Sequence, residues 1–295
     1  MRLALLEVRE DGVGSHSFEY DRIHLLPDYC SYDVDHWGFY ADTGIATRLD
    51  DAYQYGQRAC KLTDPSYHSR REPQPQKATI GSLMKINYPT GGYTRFVYEP
   101  NSYCREVNAD RDGLRVHQDE RFAGGVRVRE IHNNASADPE CEFLFKRFVY
   151  RDVTDSAADT AHTSGILLQP PCYRHLNKEN GQGFMFRNDC YNAQSVRRLG
   201  SNPDVCHIGY SCVSEIGPDN AVTVYRFVDF ADRPDDRLQR TDLYFQYHVP
   251  YLSWAARRGH LKSRREYSDT HVLLRETAYG YAYSRHSILA SHKCQ

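Results

Sequence analysis

Apolar and polar residues alternate with a period of two in short runs along most of the chain, and the runs are bounded by Gly, Pro, Asn or Asp. A pleated strand sends successive side chains to opposite faces, so this period predicts strands; the 3.6-residue period of an amphipathic helix is hard to find. The stretch "INYPTGGYTRFVYEP" at 86–100 shows the plan. Met84, Ile86 and Tyr88 alternate with Lys85 and Asn87, then Thr94, Phe96 and Tyr98 continue one face while Arg95 and Glu99 mark the other. Between them, Pro89, Thr90, Gly91 and Gly92 supply one fixed φ and two residues that tolerate positive φ, which is hairpin chemistry.

The same pattern predicts strands at 2–9, 16–22, 82–88, 93–99, 125–132, 141–151, 207–216, 221–230, 241–248, 260–268 and 272–283. Three more hairpins follow, turning at Asn133 to Ser136, at Gly217 to Asn220, and at Ser268 to His271, where no Gly is present. The strand at 141–151 is apolar on both faces, as in a strand covered on two sides. Hairpin spacing is irregular, with no fixed repeat period. Two stretches break the alternation. Residues 60–79 carry three Pro and a basic cluster and read as an exposed loop or boundary. Residues 152–206, rich in Gly, Asn, Pro and Asp, read as a long irregular excursion with a short helix near 190–199, and as the place where a rigid sheet would display a specific function. The expected organisation is therefore N-terminal strands (1–59), a boundary loop (60–79), a hairpin unit (80–151), the excursion (152–206) and C-terminal hairpins (207–295). The fold class is all-β, with successive antiparallel hairpins building one extended curved sheet; a β-sandwich is the alternative.

Composition reinforces strands. Twenty-three Tyr and twelve Phe suit half-buried pleated surfaces, where an aromatic body packs and a hydroxyl stays wet. Thirty-seven basic against thirty-nine acidic side chains leave a net charge of −2, so no global field favours nucleic acid or an anionic membrane. No apolar run approaches the ~18 residues of a bilayer-spanning helix, and the opening "MRLALLEVRE" lacks the features of a secretory signal. Nine Cys, an odd number with no Cys-x-x-Cys pair, are expected to be mostly reduced and packed.

Candidate chemistry is sparse. Asp35-His36-Trp37-Gly38 admits three readings: Asp35 orienting a His36 base, a sugar stacked on Trp37, or a packed, hydrogen-bonded corner. In a regular strand Asp35 and His36 would point apart, so their pairing requires the backbone to turn. His36, Trp37 and Trp254 are the candidate ligand contacts, with glycans as the ligand class. Cys172-x-x-His175, Cys190, Cys206-His207 and Cys212 contain one short ligand pair, too little for a structural zinc site. The pairs Arg70-Arg71, Arg197-Arg198, Arg257-Arg258 and Arg264-Arg265 read as solvated faces. Gly181-Gln182-Gly183 and Gly91-Gly92 lack a strand-to-helix context and read as turns rather than phosphate loops. No catalytic, cofactor-binding or metal-binding residue is assigned.

The C-terminal segment "GHLKSRREYSDTHVLLRETAYGY" resembles the YD-repeat unit of RHS-type proteins through Gly259, Leu261, Tyr267, Leu273 and Glu276. Ser268 stands where that family has Asp, and His271 where it has the turn Gly. "FEYDRIHLL" keeps Tyr20-Asp21, with His24 at a usual Gly position. "LPDYCSYDVDHWGFYAD" (Asp35 to Gly38), "GSLMKINYPTGGYTRFVYE" (Tyr88 to Gly92), "GGVRVREI" (Gly124, Gly125), "SGILLQP" and "HIGYSCVSEI" resemble, in that order, a segment of very large exported YD/RHS proteins of Bacteroidetes that lies upstream of the RHS core. The resemblance implies a shell or scaffold of linked hairpins, a secreted or cell-surface location, and, as partners, the remainder of a larger polypeptide with an encapsulated C-terminal effector in toxic relatives. It supplies no catalytic residues. The expected function is a non-enzymatic structural segment; a carbohydrate-binding module and part of a polymorphic toxin or hydrolase are the alternatives.

Overall fold

A computed structural model describes residues 3–28, 31–44, 69–108, 111–136, 138–155, 162–171, 174–176, 189–191, 206–237 and 251–282. The strands are β1 (Glu7–Glu10), β2 (Gly14–Tyr20), β3 (Leu83–Asn87), β4 (Tyr93–Val107), β5 (Leu114–Asn134), β6 (Phe143–Val149), β7 (Gly165–Leu167), β8 (Arg174–Leu176), β9 (Asp189–Tyr191), β10 (Ile208–Tyr210), β11 (Cys212–Ile216), β12 (Val222–Phe227), β13 (Asp236–Arg237), β14 (Tyr251–Leu252), β15 (Leu261–Tyr267) and β16 (Leu273–Ala278). Twelve of them form one open sheet whose main path runs β1-β2-β3-β4-β5-β6-β11-β12-β15-β16, while β7 and β10 attach beside it. Along this path every neighbouring pair is antiparallel. The expected all-β curved sheet of successive hairpins is what the chain builds.

Turn chemistry accounts for the hairpins. Asn87 faces Tyr93 across the Pro89 to Gly92 turn, with Gly91 at a φ of 93°. A side chain on Gly92 would collide with the Asn134 carbonyl, so its missing Cβ lets this turn lie against the end of β5. At the Gly217 to Asn220 turn, Asn220 takes the left-handed φ of 62°, which Asn tolerates. The glycine-free turn closes with His271 at a φ of 60°, while the Ser268 hydroxyl oxygen accepts from the backbone N–H groups of Thr270 (3.2 Å) and Val272 (3.1 Å). Ser268 thereby supplies the local acceptor that an Asp would offer.

Several elements depart from the sequence-based expectations. β4 and β5 are much longer than 93–99 and 125–132, because bulges at 97–98, 100–102 and 103–105 break the alternation without ending the pairing. Of the 60–79 stretch, 60–68 lie outside the described residues; β2, before it, pairs β3, after it, and Asp21 N–H donates to Ser82 O at 2.9 Å. Within the predicted excursion, β7 is a fully buried strand of the main sheet, and Asp189–Tyr191, where a helix was expected to begin, is a strand paired with β8. The expected strand at 241–248 and residues 192–199 lie outside the described residues.

Core burial concentrates around β7. β3 covers only the first part of β4, and β7 fills the overhang, pairing parallel with Arg105 and Glu106 while β10 pairs on its other edge. Ile166 packs with Val107 and Phe230, whereas Leu167 packs with Trp37, Tyr103 and Ala123. Successive strand residues point to opposite faces, so the sheet is covered on both sides here, and each buried side chain contributes about 1.5–3 kcal/mol. A third cluster, Cys212, Val222 and Val224 under Val153, lies farther along the sheet. Elsewhere cross-strand ion pairs link the strands. Glu142 receives Arg95 and the Tyr93 hydroxyl (3.0 Å), and His132 sits between Glu130 (3.0 Å) and Glu142 (3.3 Å). The Arg95 hydrogen bond, aided by Tyr93 and outweighing burial, holds the Glu142 carboxyl at about 2. Lys146–Glu215 and Arg265–Glu276, both at 2.8 Å, continue the pattern across later strands.

Gly165 sits where a Cβ would run into the Ser102 carbonyl and the Tyr103 backbone, at an ordinary φ, so the penalty of a side chain there is steric. Gly165→Ala is expected to destabilise the protein by about 1–3 kcal/mol in urea denaturation. Gly280→Ala, where a Cβ meets nothing within 4 Å, is expected to stay within about 0.5 kcal/mol of wild type. Equal effects at the two positions would contradict the close approach of β7 to β4.

Candidate functional site

The segment 31–44 folds back on itself through a bridge between Val34 and Tyr40, and it turns at Asp35-His36-Trp37-Gly38. Gly38 takes a φ of 91°, and Asp35 N–H donates to Phe39 O at 2.8 Å. One oxygen of the Asp35 carboxylate accepts from the backbone N–H groups of Trp37 and Phe39, both at 2.9 Å. Asp35 therefore organises the turn, as short acidic side chains do. Burial pushes its carboxyl up to about 6, against the opposing pull of the Phe39 and Trp37 N–H groups.

The turn seats on a place prepared for it in β5. Gly124 and Gly125 carry no side chains where Asp35 and Phe39 rest, and a Cβ on either would collide with them. The Gly124 carbonyl accepts from Asn101 Nδ2 and meets His207 Nε2, each at 2.9 Å. His207 lies against Trp37 (5.3 Å between centroids) and Phe39 (5.4 Å), and burial lowers its pKa. Two segments singled out separately in the sequence, Asp35 to Gly38 and Gly124-Gly125, thus form one joint, with "HIGYSCVSEI" contributing His207.

Each polar group of this joint is directed at the protein. Trp37 is 8% exposed and its indole N–H donates to Gln169 O at 2.9 Å. His36, 2% exposed, donates its backbone N–H to Arg71 O and sets its ring 3.4 Å from Glu72. The Asp35 carboxylate accepts from backbone N–H groups, and the His36 ring lies 3.4 Å from Glu72. Trp254 lies elsewhere, half-buried, with Arg257 4.2 Å over its ring and its indole N–H donating to Asp236 at 2.9 Å. The three candidate ligand residues are therefore not brought to one surface.

The cysteine and histidine set does not converge either. Among the described residues no group of three or more His, Cys, Asp or Glu could hold a metal ion. Cys212 is buried against Val222 and Val224, and Cys206 is exposed. His175 faces Cys190 in the β8–β9 backbone register, and Cys172 lies outside the described residues. Cys141, Cys206 and Cys212 are free thiols, the buried Cys104 thiol donates to Thr163 O at 3.0 Å, and burial raises Cys212 to about 11, which keeps it an unreactive thiol at neutral pH.

A second polar cluster was not anticipated. Asp235 is buried between Arg111 (2.6 Å) and Arg258 (2.7 Å). Both guanidinium groups lie over the fully buried Phe230 ring, and Arg111 also donates to Leu168 O at 2.8 Å, just beyond β7. Arg258 was expected on a solvated face. It is buried because Asp235, 23 residues earlier, and the Phe230 ring accept it, and Arg71, also expected to be solvated, is 1% exposed. No local sequence signal announces a pair between Arg111 and Asp235, which lie 124 residues apart.

Asp35 and Asp235 give opposite tests. The folded-state pKa of Asp35 lies above its ordinary 3.8, so this group costs stability as pH rises from 3.8 to about 6 and costs nothing below that window. Urea melts across pH should show Asp35→Asn gaining on wild type through that window; a difference that does not change with pH would contradict the burial of a charged carboxylate. Asp235→Asn removes the buried carboxylate that Arg111 and Arg258 share and is expected to cost about 3–5 kcal/mol at neutral pH. A loss below 1 kcal/mol, measured the same way, would show that the cluster is solvated.

Among the described residues no helix is long and apolar enough to cross a membrane. Comparison of the chain with family models, with curated proteins and with solved structures finds no match.

Proposed function

We propose that this chain is a non-enzymatic structural segment, a stretch of sheet wall in a secreted or cell-surface protein of the YD/RHS type. The observation that carries the reading is the continuous antiparallel path from β1 to β16 in one open twelve-stranded sheet. Its most elaborate polar region, around Asp35 and Gly124, spends its hydrogen bonds on backbone groups and so supports packing rather than chemistry. Tyr267 and Leu273, two of the residues that carry the repeat resemblance, pair across the β15–β16 hairpin, and this supports the reading.

The function is mechanical and steric: the sheet spans and separates, and its partner is the remainder of a larger polypeptide. The test combines the flanking reading frame with antibody labelling of intact cells. An export signal upstream, RHS core repeats downstream and labelling at the cell surface are expected. A frame without repeats whose product stays in the cytosol would overturn the reading. Growth inhibition on expression of this chain, relieved by a single substitution, would replace it with a toxin.

A further inference from the structure

The first edge of the sheet carries a charge pattern that is complementary to itself. Among the described residues β1 pairs only with β2, and its four side chains are exposed. Phe18 N–H donates to Leu6 O, which fixes the hydrogen-bonding phase: Leu6, Val8 and Glu10 turn their backbone groups toward β2, while Glu7 and Arg9 turn theirs to the free edge. Glu7 and Arg9 face only Ser17 and Ser15 on β2. Among the described residues neither has an ion-pair partner.

We propose that a second copy of this chain docks on β1, antiparallel and about a two-fold axis at Val8, with Glu7 of each copy opposite Arg9 of the other. A two-fold axis perpendicular to a sheet keeps each face on its own side, so only outward-facing residues of the same parity can meet. Shifting the strands by two residues either way sets Glu7 against Glu7 or Arg9 against Arg9, and like charges directly opposite are destabilising. The register centred on Val8 alone joins unlike charges, twice, and it also pairs all four free backbone groups of Glu7 and Arg9 on each edge. It brings together Val8, 46% exposed in the single chain. At the far edge, Glu276 is already held by Arg265 at 2.8 Å, and aligning it with Arg9 would set Glu7 against Ala278. The two-fold arrangement is closed, whereas joining β16 to β1 would grow without limit. The proposal is independent of the function above, since it concerns only what this edge accepts.

The test is sedimentation of the full chain over a concentration series. A reversible dimer of twice 34.2 kDa is expected, weakened by added salt. Arg9→Glu and Glu7→Arg each place like charges opposite one another and should each weaken self-association about tenfold. Both sites are exposed, and circular dichroism should remain that of wild type. Mixing the two variants restores unlike pairs, so a heterodimer of near wild-type affinity should form. A chain that stays monomeric, a mass that climbs past the dimer, variants that dimerise like wild type, or a mixture that fails to associate would each overturn the proposal.

Discussion

The structure depends on a three-residue strand buried on both faces. β7 sends Ile166 to one side and Leu167 to the other, where they meet Phe230 and Trp37 respectively. Hairpin pairing alone makes a ribbon with wet faces, and such a ribbon is marginal until something packs against it. Here two layers do so at one place: the Asp35 turn on one face and the Phe230 segment on the other. The bulged middle of β4 and the Gly124-Gly125 step of β5 shape the sheet to receive them, and Arg111, Asp235 and Arg258 lock the second layer through charges that water does not reach.

Away from this joint the sheet relies on less. Ion pairs from Glu19–Lys85 to Arg265–Glu276 run from strand to strand, each worth about 0.2–1 kcal/mol and sensitive to salt. Among the described residues the ends at β1 and β16 have a neighbour on one side only. Stability should therefore fall from the middle of the sheet to its edges, as expected where local burial and pairing decline.

Much of this was legible in the sequence, for a definite reason. The hairpins β3–β4, β11–β12 and β15–β16 alternate near their turns and turn on Gly, Asn or Ser, so pattern and turn chemistry agree there. β7 was not legible: three apolar residues in an irregular segment carry no period, and only the docking of two distant layers makes them a strand. The irregular pairing of β4 and β5 hid about half of β4 and more than half of β5, because each register shift resets the alternation. The candidate site divides in the same way. Asp35 to Gly38 and Gly124-Gly125 stood out as separate stretches, yet that one seats the other depends on missing Cβ atoms 86 to 90 positions away in sequence. The basic pair Arg257-Arg258 looked solvated because its acid partner is chosen by the fold.

Native-state hydrogen exchange of the full chain tests the central claim most directly. If β7 and its two covering layers hold the sheet together, backbone amides at 102–107, 123–126 and 165–168 should exchange most slowly, at the rate of global unfolding, with protection declining toward β1 and β16. Uniform protection across the sheet, or slowest exchange in the β15–β16 hairpin, would contradict it.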